Sequence, residues 1–217
     1  MTIGLIHSTR LAIPWVEQAS TPLHGRMGFL HALDESLIVE LKKNRGVTEG
    51  ARRRIDCMAR SLLDAGAERL VLTCSSLSPA VDILAPDLPV PFFKIDEPMI
   101  RAAVRSDLPF VILATNPSTA EPMRIIVEAE GKKAGVIAQW RYVLLDRAFE
   151  ALNRGNAAAH DKELVAACLG MDLSSQCGHI LFAQISMSRV LPQIPEPVRN
   201  RIATCLDYFP EIVQSQR

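Results

Sequence analysis

Short apolar runs alternate along the chain with longer segments in which apolar residues recur at helical spacing. The runs lack the polar alternation of a half-exposed strand, which is typical of strands buried on both faces of a parallel sheet. Alternating strands and helices predict an α/β fold in which each parallel sheet is covered by helices. The predicted strands span residues 3–7, 69–73, 91–95, 110–114 and 179–183.

The clearest helical segments end at glycines, which favour the left-handed backbone conformation found after many helices. In the first of these segments, Ile55, Ala59 and Leu62 recur every three or four positions and predict one buried face. The segments span residues 51–65, 147–154 and 158–169, and Gly66, Gly155 and Gly170 follow them.

Two pairs of segments align when the chain is compared with itself. Residues 69–78 align with residues 179–188 at an offset of 110, and residues 3–7 align with residues 111–115 at an offset of 108. Two nearly equal offsets of about half the chain indicate two α/β lobes of like topology that face each other across a central cleft. The predicted division is residues 1–97 for the first lobe, 98–194 for the second, and 195–217 for a segment that returns to the first lobe as a strand and a helix.

Charge and hydropathy narrow the classes of partner. The chain has 217 residues, of which 24 are basic and 24 acidic, so its formal net charge is zero. It therefore lacks the positive charge that non-specific binding to nucleic acid or to an anionic membrane requires. No apolar run approaches the roughly 20 residues of a membrane-spanning helix, and no basic leader precedes the first predicted strand. We expect a cytoplasmic protein that binds neither nucleic acid nor membrane.

The cysteine, histidine and glycine spacings favour no bound metal or nucleotide. None of the five cysteines lies in a C-x-x-C pair, and none of the five histidines lies in an H-x-x-x-H pair. The sequence also has no G-x-G-x-x-G or G-x-x-x-x-G-K-[ST] string to bind a phosphate. We predict no metal, no disulfide framework and no cofactor.

The segments that follow the strands are the places to look for chemistry, because ligands of open parallel sheets bind beyond the carboxyl ends of the strands. All four such segments are rich in small hydroxyl side chains. They span residues 7–10, 74–78, 115–119 and 184–188.

Cys74 is the strongest candidate in these segments. It follows a buried strand and precedes a helix start, at which Ser78 suits the N-cap and Pro79 the first turn. The positive end of a helix dipole favours a thiolate, so we interpret Cys74 as reactive rather than as a buried space-filling residue. The remaining cysteines are interpreted as structural: Cys57, Cys168, Cys177 and Cys205.

The residues around Cys74 resemble the first-cysteine motif of the aspartate/glutamate/hydantoin racemase superfamily. Residues 72–79 read Leu-Thr-Cys-Ser-Ser-Leu-Ser-Pro, and the family motif is a Thr-Cys string followed by Asn or Ser and then by Ser or Thr. Further matching stretches occur in the expected order, at residues 3–8, 31–37, 94–99, 113–119 and 182–187.

The resemblance implies two flavodoxin-like lobes around a central cleft and a small carboxylate substrate. In these racemases a cysteine from each lobe flanks the substrate carbon, and no cofactor is used. Backbone amides and hydroxyl or amide side chains hold the substrate carboxylate and stabilise the enolate-like charge. The superfamily often forms dimers or larger assemblies, but no feature of this sequence defines an interface for a homo-oligomer.

Gln184 stands where the second cysteine of the racemases would be. The offset of 110 residues places it at the position equivalent to Cys74. Its amide donates and accepts hydrogen bonds but does not shuttle a proton. The sequence therefore predicts a one-thiol enzyme in which Gln184 orients a carboxylate or an oxyanion.

Three versions of this chemistry remain open. Cys74 protonates a carbanion left by loss of carbon dioxide, as in the single-cysteine decarboxylases of the same superfamily, or it adds to an unsaturated acid as a nucleophile. Alternatively, His7 at the end of the first strand replaces the missing acid.

The hydroxyl residues have two interpretations, carboxylate binding and helix capping, and both hold together at a helix N-terminus. The candidates for substrate binding are Ser75, Ser76, Thr115, Ser118, Thr119 and Ser186, of which Ser75, Ser76 and Thr119 are favoured. Arg10 is interpreted as a solvated surface residue. The matching acidic residues are interpreted as helix-start and lobe-interface residues: Asp34, Glu35, Asp96 and Glu97.

Two functions follow from these patterns. The first is a cofactor-independent enzyme that acts at the α-carbon of a small carboxylate, an amino-acid racemase-like isomerase or a decarboxylase, with Cys74 as its central residue. The alternative is a small-carboxylate binding or regulatory protein that has kept the cleft and lost the racemase chemistry, as the replacement by Gln184 suggests.

Overall fold

A computed structural model describes residues 1–44, 46–171 and 178–214. By their internal contacts the residues divide into two compact units, one formed by Met1–Pro98 with Leu206–Arg217 and the other by Met99–Cys205. Each unit contains a four-stranded parallel sheet with helices. The predicted α/β fold class is confirmed.

The strands are β1 (Thr2–His7), β2 (Gly28–Leu33), β3 (Arg69–Leu72), β4 (Phe92–Lys94), β5 (Phe110–Ala114), β6 (Trp140–Leu144), β7 (His179–Phe182) and β8 (Ile202–Thr204). The α-helices are α1 (Ile13–Ser20), α2 (Ser36–Asn44), α3 (Glu49–Asp64), α4 (Pro79–Leu84), α5 (Glu97–Arg105), α6 (Ala120–Ala134), α7 (Asp146–Asn153), α8 (Ala157–Gly170), α9 (Glu196–Arg199) and α10 (Phe209–Gln214). None of the helices in the described ranges is long and apolar enough to cross a membrane.

The two sheets have the same strand order. The first sheet runs β2-β1-β3-β4 and the second runs β6-β5-β7-β8, with all neighbouring strands parallel. The central strands β1, β3, β5 and β7 are almost continuously buried. This burial explains why they read as uninterrupted apolar runs.

The five predicted strands are all present, and their ends differ from the predicted ends by no more than one residue. The sequence did not indicate β2 and β6, and it indicated β8 only as an unplaced strand within residues 195–217. These strands lie at sheet edges, and β2 and β6 alternate between exposed and partly buried positions. An edge strand needs less apolar surface than a central strand and therefore leaves a weaker pattern.

Helix α3 illustrates how the first unit is held together. Thr48 caps its N-terminus, since the Thr48 hydroxyl accepts a hydrogen bond of 3.0 Å from the Ala51 amide. Gly66, with φ of +93°, follows its C-terminus. The buried face of the helix, including Ile55 and Leu62, belongs to the same apolar core as the strands of the first sheet.

The C-terminal segment differs from its prediction. Its strand β8 pairs with β7 in the second sheet, with Ile180 opposite Ile202, so the prediction of a strand added to the first lobe is wrong. After α9 the chain runs parallel to β7, and β8 pairs with the edge of β7 that β5 leaves open. Only the last helix, α10, lies with the first unit, where Phe209 is fully buried and its ring centroid is 6.1 Å from that of Phe29.

Candidate functional site

In the first unit, the carboxyl ends of the parallel strands bring several polar side chains to one edge of the sheet. His7 is the last residue of β1, and Cys74 comes two residues after β3. Since adjacent parallel strands end at the same edge, residues far apart in sequence meet here. The polar residues at this edge are His7, Ser8, Thr73, Cys74, Ser75, Ser76, Ser78 and Asp96.

Cys74 occupies the N-cap of a short 3-10 helix, Ser75–Leu77, with an extended backbone (φ −118°, ψ 106°). The residue remains partly exposed, whereas Ser75 and Ser76 beside it are buried. The three residues therefore form one turn at the end of β3, as the sequence predicted.

The Cys74 thiol is not the activated thiolate that the sequence suggested. Burial raises the pKa of the thiol, and the negative charge of Asp96 raises it further. Hydrogen bonds from the Ser8 hydroxyl and from the amides of Leu77 and Ser76 lower this pKa but do not outweigh burial. The thiol is consequently held in its protonated form at neutral pH.

Ser8 is a site residue that the sequence analysis passed over, although it belongs to the segment after the first strand. Its side chain is 1% exposed, and its oxygen has no partner of regular hydrogen-bond geometry among the described residues. It lies near enough to the Cys74 sulfur to lower the pKa of the thiol. A buried hydroxyl without a regular partner beside a thiol is suited to donate to a bound ligand.

His7 is fully buried, and both of its ring nitrogens are engaged. Its Nδ1 is 2.8 Å from Oγ1 of Thr73, and its Nε2 is 3.0 Å from Nδ1 of His31. Because Thr73 donates its own hydroxyl proton to the Ile6 carbonyl oxygen at 3.0 Å, it accepts from His7 Nδ1. His7 Nε2 then accepts from His31, which assigns the tautomers of both rings.

This arrangement does not supply the acid that the sequence suggested for His7. Burial, together with the neighbouring His31, lowers the pKa of His7 to about 4. The ring is therefore neutral at neutral pH, and its one N–H is committed to Thr73. The contacts of His7 therefore link the ends of β1 and β3, and its role as an acid stays a prediction.

Asp96 is fully buried just beyond β4. Its two carboxylate oxygens accept hydrogen bonds from the Ser78 hydroxyl at 3.1 and 3.0 Å. Burial raises the pKa of Asp96 to about 6, although the hydroxyls of Ser78 and Ser75 act against the shift. The sequence predicted that Ser78 caps helix α4. The Ser78 hydroxyl makes no such cap, because it donates to the Asp96 carboxylate instead.

In the second unit, Gln184 occupies the equivalent of the Cys74 position. It is the N-cap of the 3-10 helix Ile185–Gln193 and has an extended backbone (φ −130°, ψ 141°). Its Oε1 accepts from the Thr115 amide at 3.0 Å and from the Thr115 hydroxyl at 3.2 Å. Its Nε2 donates to the Thr119 hydroxyl at 3.1 Å. These bonds fix the orientation of the amide and leave one N–H without an acceptor among the described residues.

The predicted hydroxyl ligands of the second unit are partly used within the protein. Thr119 is fully buried, donates to the Asn116 carbonyl oxygen at 2.8 Å, and has the Tyr142 hydroxyl at 2.8 Å. The Thr119 hydroxyl therefore already has hydrogen-bond partners within the protein. Its role as a substrate ligand stays a prediction, whereas its local bond to Asn116 agrees with the capping interpretation. Ser118 donates its hydroxyl to Asn116 Oδ1 at 2.8 Å. The sequence analysis assigned no role to Asn116 and Tyr142.

Other candidate residues lie outside these clusters. Ser186 is partly exposed on the 3-10 helix that follows Gln184. Arg10 pairs with Glu35 at the surface, in agreement with its interpretation as a solvated residue. Cys57 is exposed, Cys168 and Cys205 are buried, and Cys177 lies outside the described residues. Among the described residues, no group of three or more His, Cys, Asp and Glu side chains is arranged to hold a metal ion.

Solved structures of several racemases share this architecture. Glutamate racemase from Thermus thermophilus, solved in complex with β-chloro-D-alanine, superposes with a TM-score of 0.70 and 21% identity over 98% of this chain and 78% of its own. The fold is that of the racemases. Aspartate racemase from Picrophilus torridus has a TM-score of 0.68 and 12% identity, covering 95% of this chain and 89% of its own. Allantoin racemase from Klebsiella pneumoniae has a TM-score of 0.64 and 14% identity, covering 99% and 86%.

The racemase fold confirms the resemblance derived from the residues around Cys74 at the level of architecture. No protein-family profile matches the sequence, and no curated protein matches it. Identities of 12 to 21% with racemases of different substrates leave the reaction to be argued from the side chains themselves.

Proposed function

We propose that the protein is a cofactor-independent enzyme that transfers a proton to the α-carbon of a small carboxylate, with Cys74 as the proton donor. The observation that carries the proposal is the position of this thiol: it is partly exposed in the turn at the carboxyl edge of a racemase-type sheet, where the Ser8 hydroxyl and the amides of Ser76 and Leu77 bond to its sulfur. The thiol form carries the proton that an acid gives, and these donors are placed to stabilise the thiolate left behind.

The protonation of Cys74 and the hydrogen bonds of His7 favour one of the three versions of the chemistry over the other two. A nucleophile needs the thiolate, which the raised pKa of Cys74 disfavours. The acid role of His7 is disfavoured because its ring is neutral and its N–H is bonded to Thr73. Protonation of a carbanion by Cys74 is the version that these contacts support.

The proton-transfer step balances without a cofactor. When carbon dioxide leaves, the electron pair of the broken C–C bond stays on the α-carbon, and this pair takes the Cys74 proton to form a C–H bond. The electrons of the S–H bond stay on sulfur as a thiolate, which the Ser8 hydroxyl and the amides of the turn stabilise. Solvent then returns a proton to the sulfur.

Gln184 is proposed as a hydrogen-bond donor of the second unit. Its Oε1 is held by Thr115, so only the remaining N–H of Nε2 is available to a carboxylate or an oxyanion. A preorganised donor of this kind stabilises charge that develops on the substrate. Ser75 and Ser76 are the carboxylate ligands that the sequence favours beside Cys74. Because the Ser75 hydroxyl already donates to Asp96, Ser76 is the one proposed to bind the substrate carboxylate.

A screen by NMR in deuterated water tests the proposal. Short amino, hydroxy, malonic and unsaturated dicarboxylic acids are incubated with the wild-type enzyme, Cys74→Ala and Cys74→Ser. We expect turnover with deuterium at the α-carbon, and a loss in both variants of about 100-fold or more, the contribution of a positioned acid. Loss of carbon dioxide distinguishes a decarboxylase from an isomerase.

Two outcomes would overturn the assignment. Full activity of Cys74→Ala on the identified substrate removes the thiol from the reaction. Tight binding of one of these acids without any turnover supports the binding protein instead. Thermal unfolding of each variant is the control, and we expect little change because Cys74 is partly exposed.

A further inference from the structure

Asp96 is the buried titratable group of the first unit that the proposed reaction does not yet use. Its side chain is fully buried, and the Ser78 hydroxyl bridges its two oxygens at 3.1 and 3.0 Å. The Ser75 hydroxyl also bonds to it. Both serines belong to the chain that follows Cys74, so one carboxylate ties both ends of this short stretch to the end of β4.

The charged and titratable groups around Asp96 come from β4, α4, the turn after β3 and the start of α5. The charge of Lys94 on β4 acts on the Asp96 carboxylate, and the Lys94 ammonium is held by Asp82 of α4 at 2.7 Å. The charge of Asp96 acts in turn on the Cys74 thiol after β3. Glu97, the first residue of α5, is its neighbour in the chain. The cation that acts on Asp96 is therefore already paired with another carboxylate.

We propose that Asp96 is a positioning residue that fixes the Cys74 turn through Ser75 and Ser78. This inference rests on the proposed function, in which the protonated thiol is the acid.

The electrostatics agree with the geometry. Although burial raises the pKa of Asp96 to about 6, the carboxyl group is still mainly ionised at pH 7 and above. A carboxylate near a thiol disfavours the thiolate, and the charge of Asp96 does raise the pKa of Cys74. Removing that charge should make the thiolate form at lower pH.

The test is the pH dependence of Cys74 alkylation by iodoacetamide, read on the peptide that contains it. Trypsin releases residues 70–94, in which Cys74 is the only cysteine, and the exposed Cys57 reports from the separate peptide 55–60 as an internal standard. The proteins are the wild type, Asp96→Asn, and Asp87→Asn as the matched loss of an exposed carboxylate in the same unit.

In Asp96→Asn we expect the midpoint of the Cys74 alkylation profile to move to lower pH by about 0.5 to 1 unit, which raises the rate at pH 7 by about 3- to 10-fold. The Cys57 profile and the Asp87→Asn profile should stay at their wild-type positions. An unchanged Cys74 midpoint in folded Asp96→Asn overturns the inference.

Ser78→Ala provides a second, milder variant in case Asp96→Asn does not fold. It removes the hydroxyl that orients the carboxylate, and we expect the Cys74 alkylation rate at pH 7 to change by about twofold or more as the turn loosens. An unchanged rate contradicts the positioning role. Because alkylation needs no substrate, this result is independent of the Cys74→Ala activity assay, so a failure of the inference and a failure of the proposed function are distinguishable.

Discussion

The ionisation of Cys74 is decided by two opposed effects at one residue. Amides at the start of the 3-10 helix Ser75–Leu77 and the Ser8 hydroxyl favour the thiolate, whereas burial and Asp96 favour the thiol. Burial is the largest of these effects and wins. The helix dipole, from which the sequence predicts a thiolate, acts weakly because the helix is only one turn long.

The buried His7, which contacts the exposed His31, is expected to make folding stability depend on pH. The pKa of His7 is about 4 in the folded protein, against 6.5 for an ordinary histidine, so only the unfolded chain takes up a proton between these values. Stability therefore falls as pH decreases from 6.5 to 4, and the loss from His7 reaches about 3 kcal/mol at pH 4.

The variant His7→Gln isolates this contribution. Urea unfolding at several pH values between 8 and 4 should show a steeper loss of unfolding free energy in the wild type than in His7→Gln. Equal slopes for the wild type and His7→Gln would mean that His7 is not held neutral.

At the scale of elements, the turns that follow β3 and β7 explain why the same offset relates Cys74 to Gln184. Each residue is the extended N-cap of a 3-10 helix that follows the third strand of its sheet. The strand-turn geometry is repeated, while the side chain that it presents has changed from a thiol to an amide.

Gly4 on β1 has no side chain, which allows the strand and its neighbours to pack closely. A β-carbon at this position would lie 2.7 Å from Leu70 Cδ2 and 3.1 Å from the β-carbons of Ala67 and Leu62. We expect Gly4→Ala to lower the unfolding free energy by about 1 to 3 kcal/mol, as overpacking of a core does.

The control for this change is Gly28→Ala on the edge strand β2. Its added β-carbon would have its nearest contact at 3.7 Å from Thr2 Oγ1, which is an ordinary distance. Urea unfolding should place this variant within about 0.5 kcal/mol of the wild type. A Gly4→Ala protein as stable as the Gly28→Ala protein contradicts the packing argument.

At the scale of the whole molecule, the sequence predicts the sheets better than it predicts the contacts around the site. Continuous apolar runs identify β1, β3, β4, β5 and β7, and the near-equal offsets indicate two units, whose matching strand order agrees with them. The offset between the two repeats differs slightly from strand to strand. Ile3 pairs with Arg69 in the first sheet, and Phe110 pairs with His179 in the second. The offset is therefore 107 residues from Ile3 to Phe110 and 110 residues from Arg69 to His179.

The partners of the site residues were beyond sequence reasoning because they depend on strand pairing. His31 meets His7 only because the edge strand β2 lies beside β1, and β2 has no clear apolar pattern. Asp96 meets Ser78 because β4 pairs with β3. The motif around Cys74 identified the turn that carries the candidate thiol, but the charge of Asp96 that acts on this thiol comes from the end of a separate strand.

The central claim is that a single protonated thiol delivers the proton, and the stereochemistry of labelling tests it most directly. Once a substrate is identified, the wild-type enzyme is run to low conversion in deuterated water, and the configuration of the labelled α-carbon is determined by NMR with a chiral reagent. The account predicts deuterium on one face of the carbon, with labelling abolished in Cys74→Ala. Deuterium on both faces, or labelling that persists without Cys74, would show that another acid delivers the proton.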